Sequence, residues 1–346
     1  MLYWILITVT VLLSVIAGLV FLKQLRWGLT TTALHDTFNW GLYIQGFFYL
    51  SALAGGILVF VAVATLFEIE AVRRLVEIGA AVSLSCLICA GALIGADLGK
   101  PFRGMKILTG KNFASPMTWD FFMLSLCGVL NLIFLTGIIH NGGLLATVWS
   151  VLCLIAALAY VMIHTLFFLS RVGAGFRSQP FLGLDTLAQS LWGGMALVTL
   201  IALATGMKES NLAGILLILT ILALIPIAGS YIASLTSTGS EVDRKILFLD
   251  TFILLILIAT QILSPQNTFL PALASVLILV AVFLEKSHVM RQYQMSPTVP
   301  FPYSQFDEKP VYKPTAAEWM LVLGSLAACV WLSSGIIYLK TLVGGG

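Results

Sequence analysis

ADLGKPFRGMKILTGKNFASPMTWD, residues Ala96–Asp120, lies between two long apolar runs, and its reading decides the fold. It opens near Asp97, carries Lys100, Arg103, Lys106 and Lys111 of the chain's eighteen Lys and Arg residues, and reaches Ser115-Pro116 just before the next apolar run. Around it, 60% of the 346 residues are hydrophobic and only 10% are charged. Soluble domains carry roughly 25% charged residues. With a mean hydropathy of +1.04, the chain reads as an integral membrane protein. The quoted stretch is then a connection between two spans.

A span needs about 20 mainly apolar residues. Working outward gives ten, at about 3–22, 41–66, 76–96, 118–139, 143–169, 182–205, 212–236, 246–264, 268–285 and 316–340. The first is long enough to be a span rather than a cleaved leader. The expected class is all-α, a polytopic helical bundle with both termini on one side. That side is called A here and the other B. No soluble domain and no internal repeat stand out. A proline- and tyrosine-rich connection at about 286–315 reads as a surface strap or a partner-contacting segment, because its prolines forbid a regular helix.

The basic residues divide unequally. Arg73, Arg74, Lys208 and Lys340 fall on side A, and the other fourteen on side B. The positive-inside rule makes side B cytoplasmic, although a basic face also suits a docked partner. Nothing in this distribution is directed at nucleic acid.

Ionisable and amide groups at membrane depth are costly and so point to function. Trp40, Tyr43 and Gln45 start the second span, Asp97 ends the third, His164 lies two turns from the B end of the fifth, and Asp185 and Gln189 start the sixth. All sit at one depth near side B, together with Asn39. Blander roles fit each. Trp40 and Tyr43 suit an aromatic belt, Asp97 a loop cap, Asp185 a helix N-terminus and Gln189 interhelical hydrogen bonding. A second set, including Ser83, Ser85, Asn131 and Asp250, reads as a hydrated path or as ordinary interhelical hydrogen bonds.

Some cofactors are not expected. Cys86, Cys89, Cys127, Cys153 and Cys329 are scattered through apolar runs, with no spacing suited to zinc or a cluster. Of the histidines His35, His140, His164 and His288, only His164 lies clearly within a span, so no bis-histidine haem is expected. There is no nucleotide-binding glycine motif in a strand–helix setting.

Asp97-Leu98-Gly99-Lys100-Pro101 followed by Ser115-Pro116-Met117 resembles the signature of the NrfD/PsrC family of membrane subunits. Trp40–Gly56 is similar to that family's first core helix, and the resemblance is strong over about 39–175. Ten spans match its longer branch, which includes hydrogenase, sulfite-reductase-complex and alternative complex III type subunits. The resemblance implies a quinone-interacting membrane anchor of a multi-subunit respiratory oxidoreductase in the inner membrane, not a complete enzyme alone. Electrons would pass between a ferredoxin-like iron–sulfur subunit and menaquinone or ubiquinone, with further catalytic or cytochrome subunits attached and proton translocation as an added role.

On that resemblance the chain divides into an extra helix and loop (1–38), a first four-helix bundle with the quinone site (39–175), a second four-helix bundle (176–285), and a strap with a last helix (286–346). The quinone pocket maps to Asn39–Tyr43 and to Tyr160 or His164. Asp97 and His164 are the expected proton-handling residues, with Trp40, Gln45, Asp185 and Gln189 around the pocket. Lys100, Arg103, Lys106 and Lys111 would face the partner. The family's histidine at the start of its first core helix is replaced here by Asn39, Trp40, Tyr43 and Gln45. The family commonly docks its iron–sulfur subunit on the periplasmic side, at the face of this loop; the charge count makes that face cytoplasmic. A secondary transporter is the alternative, suggested by the Pro226- and Gly229-containing span.

Overall fold

The computed structural model describes residues 2–34, 38, 40–99, 102, 104, 106–110, 112–141, 143–170, 181–207, 211–236, 244–263, 268–295 and 312–344. Asn39, Lys100, Arg103 and Lys111 lie outside the described residues, as does most of the strap. The elements are α1 (Leu2–Trp27), α2 (Leu42–Leu66), α3 (Arg73–Asp97), a single turn α4 (Lys106–Thr109), α5 (Pro116–Leu135), α6 (Gly143–Ser170), α7 (Leu182–Ala204), α8 (Asn211–Thr236), α9 (Arg244–Leu263), α10 (Phe269–Met295) and α11 (Ala316–Gly344). Ten of these are long and apolar enough to cross a membrane. The described residues contain no strand. The chain is a multi-pass, all-helical membrane protein.

α2 is the axis of the fold. It is apolar on every side and buried along most of its length, as a helix without a polar face must be in a bundle centre. α3, α6 and α7 pack around it, α5 closes against α3 and α6, and α8, α9 and α10 complete a second group beside α7. α1 pairs with α11, which lies against α3. Lipid does not drive such helices together, so small residues set the close crossings. A Cβ added to Gly56 would fall 1.9 Å from the Ser190 carbonyl oxygen, and one on Gly194 2.5 Å from the Gly56 carbonyl carbon. α2 and α7 therefore touch backbone to backbone. Gly324 meets Ala17 and Leu13 in the same way where α11 crosses α1.

The motif of the opening stretch has a local cause. Gly99 adopts φ +64°, and the Leu98 and Gly99 amides donate back to Ile94 and Ala96 at 3.1 and 3.0 Å. Gly99 is thus the left-handed residue that ends α3. Pro116 opens α5 at a position where its missing N–H is not needed. Thr118 Oγ1 and Trp119 Nε1 then donate to Asn112 and Phe113 carbonyls, at 3.0 and 2.8 Å, and fold the connection onto the helix start.

Two boundaries differ from the hydropathy reading, while α8 keeps its expected bounds. α1 continues to Trp27 and takes in Lys23 and Arg26. α8 runs unbroken through Pro226. α10 continues to Met295, so Lys286 and His288 are helical rather than part of a loop. Lys286 is only 4% exposed and lies within electrostatic reach of Asp185 on α7 and Glu285 on its own helix. Of the second polar set, Asn131 Nδ2 donates to Ser83 Oγ (3.1 Å) and Ser83 Oγ to the Ala54 carbonyl (3.0 Å). These are interhelical hydrogen bonds joining α5, α3 and α2. The five cysteines are buried and free.

Candidate functional site

The expected site residues resolve into three neighbouring groups near the B ends of the helices. The first centres on His164. It lies on α6 and is 1% exposed, and its Nε2 stands 3.1 Å from Asp120 Oδ1 on α5. That is an ion-pair separation whose angles fall short of a hydrogen bond, and Nδ1 has no partner among the described residues. Aromatic edges hold the imidazole. Phe48, Tyr160 and Phe47 approach it with ring centroids at 5.0, 4.9 and 5.8 Å. One turn before His164, the Tyr160 hydroxyl donates to Ser51 Oγ on α2 at 2.7 Å. α2, α5 and α6 thus bring a histidine, a carboxylate and a phenol together in buried packing.

The second group lies where α2 begins. The Tyr43 hydroxyl is buried with no hydrogen-bond partner among the described residues, and so is Asp97 Oδ1 at the end of α3. Tyr43 is within electrostatic reach of both Asp97 and Glu318. Trp40 is buried just ahead of the helix. α2 has Gly41 at its N-cap and no side-chain cap of its own. Tyr312, from the end of the strap, supplies one by accepting from the Leu42 amide at 2.8 Å. The Tyr312 hydroxyl in turn donates to Glu318 Oε1 in a short hydrogen bond. Glu318 Oε2 accepts from the Thr315 and Ala33 amides at 2.8 and 3.1 Å. Burial, then this bond to Glu318, pushes the Tyr312 phenol above its ordinary range. Gly41 is required here, since a Cβ would meet the Tyr312 hydroxyl, Leu34 and Glu318 at 2.5–2.9 Å.

The third group is Asp185 and Gln189 on α7. Gln189 Nε2 donates to Asp185 Oδ2 at 2.7 Å. They stand near Asp250, Glu285 and Lys286 rather than His164. Gln45 also faces away from the first group, because its Nε2 donates to the Phe283 carbonyl of α10 at 3.2 Å. Lys106 is exposed on α4. No cluster of three metal-ligating side chains occurs among the described residues.

Asp120 closes the opening stretch, yet sequence reasoning does not single it out. The signal that could have found it is depth: it lies one turn inside α5 and His164 two turns from the end of α6, so both fall on one level. Ser51, Tyr312, Glu318 and Glu285 escape the sequence as well. Their partners come from distant segments, and no spacing pairs them. A cavity of about 270 Å³ opens at the other face, lined by Glu68, Glu70, Arg73, Phe134 and Ile139 among others, far along α2 and α3 from these groups.

The orphaned Tyr43 hydroxyl, Asp97 oxygen and His164 Nδ1 are buried polar atoms that a ligand with two hydrogen-bonding carbonyl or hydroxyl groups would satisfy. The chain also has known relatives. The profile of a family described as "Polysulphide reductase, NrfD" matches residues 30–298. The chain is 30% identical over 202 residues to a protein from Halobacterium salinarum that is named as a membrane subunit of dimethyl sulfoxide reductase. That match covers 52% of this chain and 46% of the relative, so the chain spans about half of its length.

Proposed function

The chain belongs to the NrfD family, and from that premise we propose that it is the quinone-interacting membrane anchor of a reductase complex, exchanging electrons between an iron–sulfur partner and menaquinone or ubiquinone. The observation that carries this reading is the buried His164–Asp120 pair with orphaned polar atoms on the helices beside it. Family membership and the name of the Halobacterium relative support the anchor role.

The bound quinone supplies the two-electron, two-proton redox chemistry. The chain's residues position it and handle its protons. His164 Nδ1 and the Tyr43 hydroxyl would each meet one quinone oxygen. His164 would exchange a proton with that oxygen at Nδ1, and Asp120, 3.1 Å from Nε2, would hold the imidazole in place. The rings of Phe47, Phe48 and Tyr160 exclude water and fix the imidazole plane. Asp97, at the membrane edge, passes the proton to or from side B. The basic loop containing Lys106 would receive the iron–sulfur subunit, with side B cytoplasmic by charge count.

The test uses the complex purified with its partners. A hydroxyquinoline N-oxide inhibitor of quinol sites should bind wild type and lose affinity in His164→Gln, and Asp97→Asn should suppress quinol turnover with all subunits still assembled. Unchanged binding and turnover in both variants would remove the quinone role.

A further inference from the structure

The second helix group buries ionisable side chains that quinone chemistry does not use. Asp185 stands on α7, Asp250 on α9, and Glu285 and Lys286 on α10, which packs against both α7 and α9. Asp250, Glu285 and Lys286 are each at most 5% exposed. The carboxyl groups of Asp250 and Glu285 face one another. None of their four oxygens meets a donor from another described residue. Lys286 lies within electrostatic reach of Asp185 and Glu285, and Gln189 donates to Asp185. α9 also carries Arg244 and Lys245, α10 His288 and Arg291, and α6, packed on α7, His164. α8 has no charged residue along its length, and α2 contributes the amide of Gln45.

Three carboxyl groups therefore cluster here with one ammonium, which stands beside Asp185 and Glu285. A structural ion pair accounts for Lys286 and one carboxylate. It leaves two buried acids that cannot both be ionised in so poor a dielectric. Two carboxyl groups that face each other without another donor are stable when they share a proton, and they then titrate as one unit. Asp185, in the first turn of α7, opens the cluster toward the same membrane face as Asp97.

We propose that Asp185, Asp250, Glu285 and Lys286 form a proton-binding site of their own, which exchanges one proton with side B and holds it between the Asp250 and Glu285 carboxyl groups. Asp185 and Lys286 are its entrance. The ammonium stabilises the deprotonated state of the pair after release and disfavours a metal cation in its place. This site goes beyond the quinone reading and does not depend on it.

The test is infrared difference spectroscopy on the full-length chain in nanodiscs, without quinone, comparing pH values, H₂O with D₂O, and potassium with sodium buffers. The expected result is a protonated-carboxyl carbonyl band that shifts on deuteration, titrates as one proton and ignores sodium. The band should be lost in Asp250→Asn and in Glu285→Gln but kept in Asp97→Asn. Absence of the band from wild type, its survival in both variants, or its replacement by sodium would overturn the proposal. If neither variant folds, the wild-type titration and its response to sodium still decide. Failure of the quinone reading would leave all these outcomes unchanged.

Discussion

His164 Nε2 and Asp120 Oδ1 stand 3.1 Å apart with both side chains shut off from solvent. α5 and α6 are consecutive spans, so this contact closes one side of the first helix group. Buried catalytic pairs are commonly loosely aligned without ligand and tighten with it. Asp120→Asn keeps the shape and replaces the carboxylate beside Nε2 with an amide. Quinol turnover of the purified complex should fall about 10²-fold or more, the range lost with a general acid–base partner. Assembly should be retained, as judged by co-purification of the partner subunits. Turnover within twofold of wild type would assign Asp120 a packing role only.

The crossing of α2 and α7 allows no side chain at Gly56, where a Cβ would lie 1.9 Å from the Ser190 carbonyl oxygen. Gly56→Ala must separate the helices and should destabilise the protein by about 1–3 kcal/mol, the usual range for overpacking. Gly128→Ala, with open space around its Cβ, serves as the control and should be neutral or slightly stabilising, since alanine favours helix. Thermal unfolding in detergent reads the difference. Equal melting temperatures for the two variants would contradict the backbone contact.

Tyr312 joins the end of the strap to the start of the central helix. Tyr312→Phe leaves the Leu42 amide without its acceptor and Glu318 without one of its donors. The expected loss is about 1–3 kcal/mol for a buried group left unsatisfied. The readouts are the thermal midpoint and the rate of proteolysis in the 296–311 segment, which should rise. Wild-type values in both would show that Tyr312 does not hold this junction.

The orientation of the membrane fold has a direct readout. Native thiols are buried, so background labelling is low. In right-side-out vesicles, Lys106→Cys should resist a membrane-impermeant maleimide until permeabilisation, whereas Glu70→Cys should react at once. The reverse pattern would place the basic loop outside and make its charge a docking feature rather than a topological one.

Hydropathy locates the ten spans because lipid leaves few choices: a spanning segment must satisfy its own backbone and be apolar. It places the end of α10 too early for a definite reason. Glu285 and Lys286 look like the polar margin of a span, but they are buried in the bundle near acids on α7 and α9. Counting depth puts Tyr43, Asp97 and His164 on one level, yet depth does not resolve direction around a helix axis. Gln45 and Asp185 share that level and turn toward α10 instead. Glu318 is legible in the sequence only as an acid at a helix start. Its contacts at Ala33 and Tyr312 depend on how α11 returns to the first helix loop.

The glycine crossing bears on what can pass through this molecule. A carrier that rocks one bundle against the other opens first one face and then the other. Here α2 and α7 meet backbone to backbone at Gly56, Ser190 and Gly194. Rocking would pry apart a backbone-to-backbone crossing that leaves no room for a Cβ. Such a frame suits cargo that crosses while the helices stand still, and electrons and protons are small enough to do so.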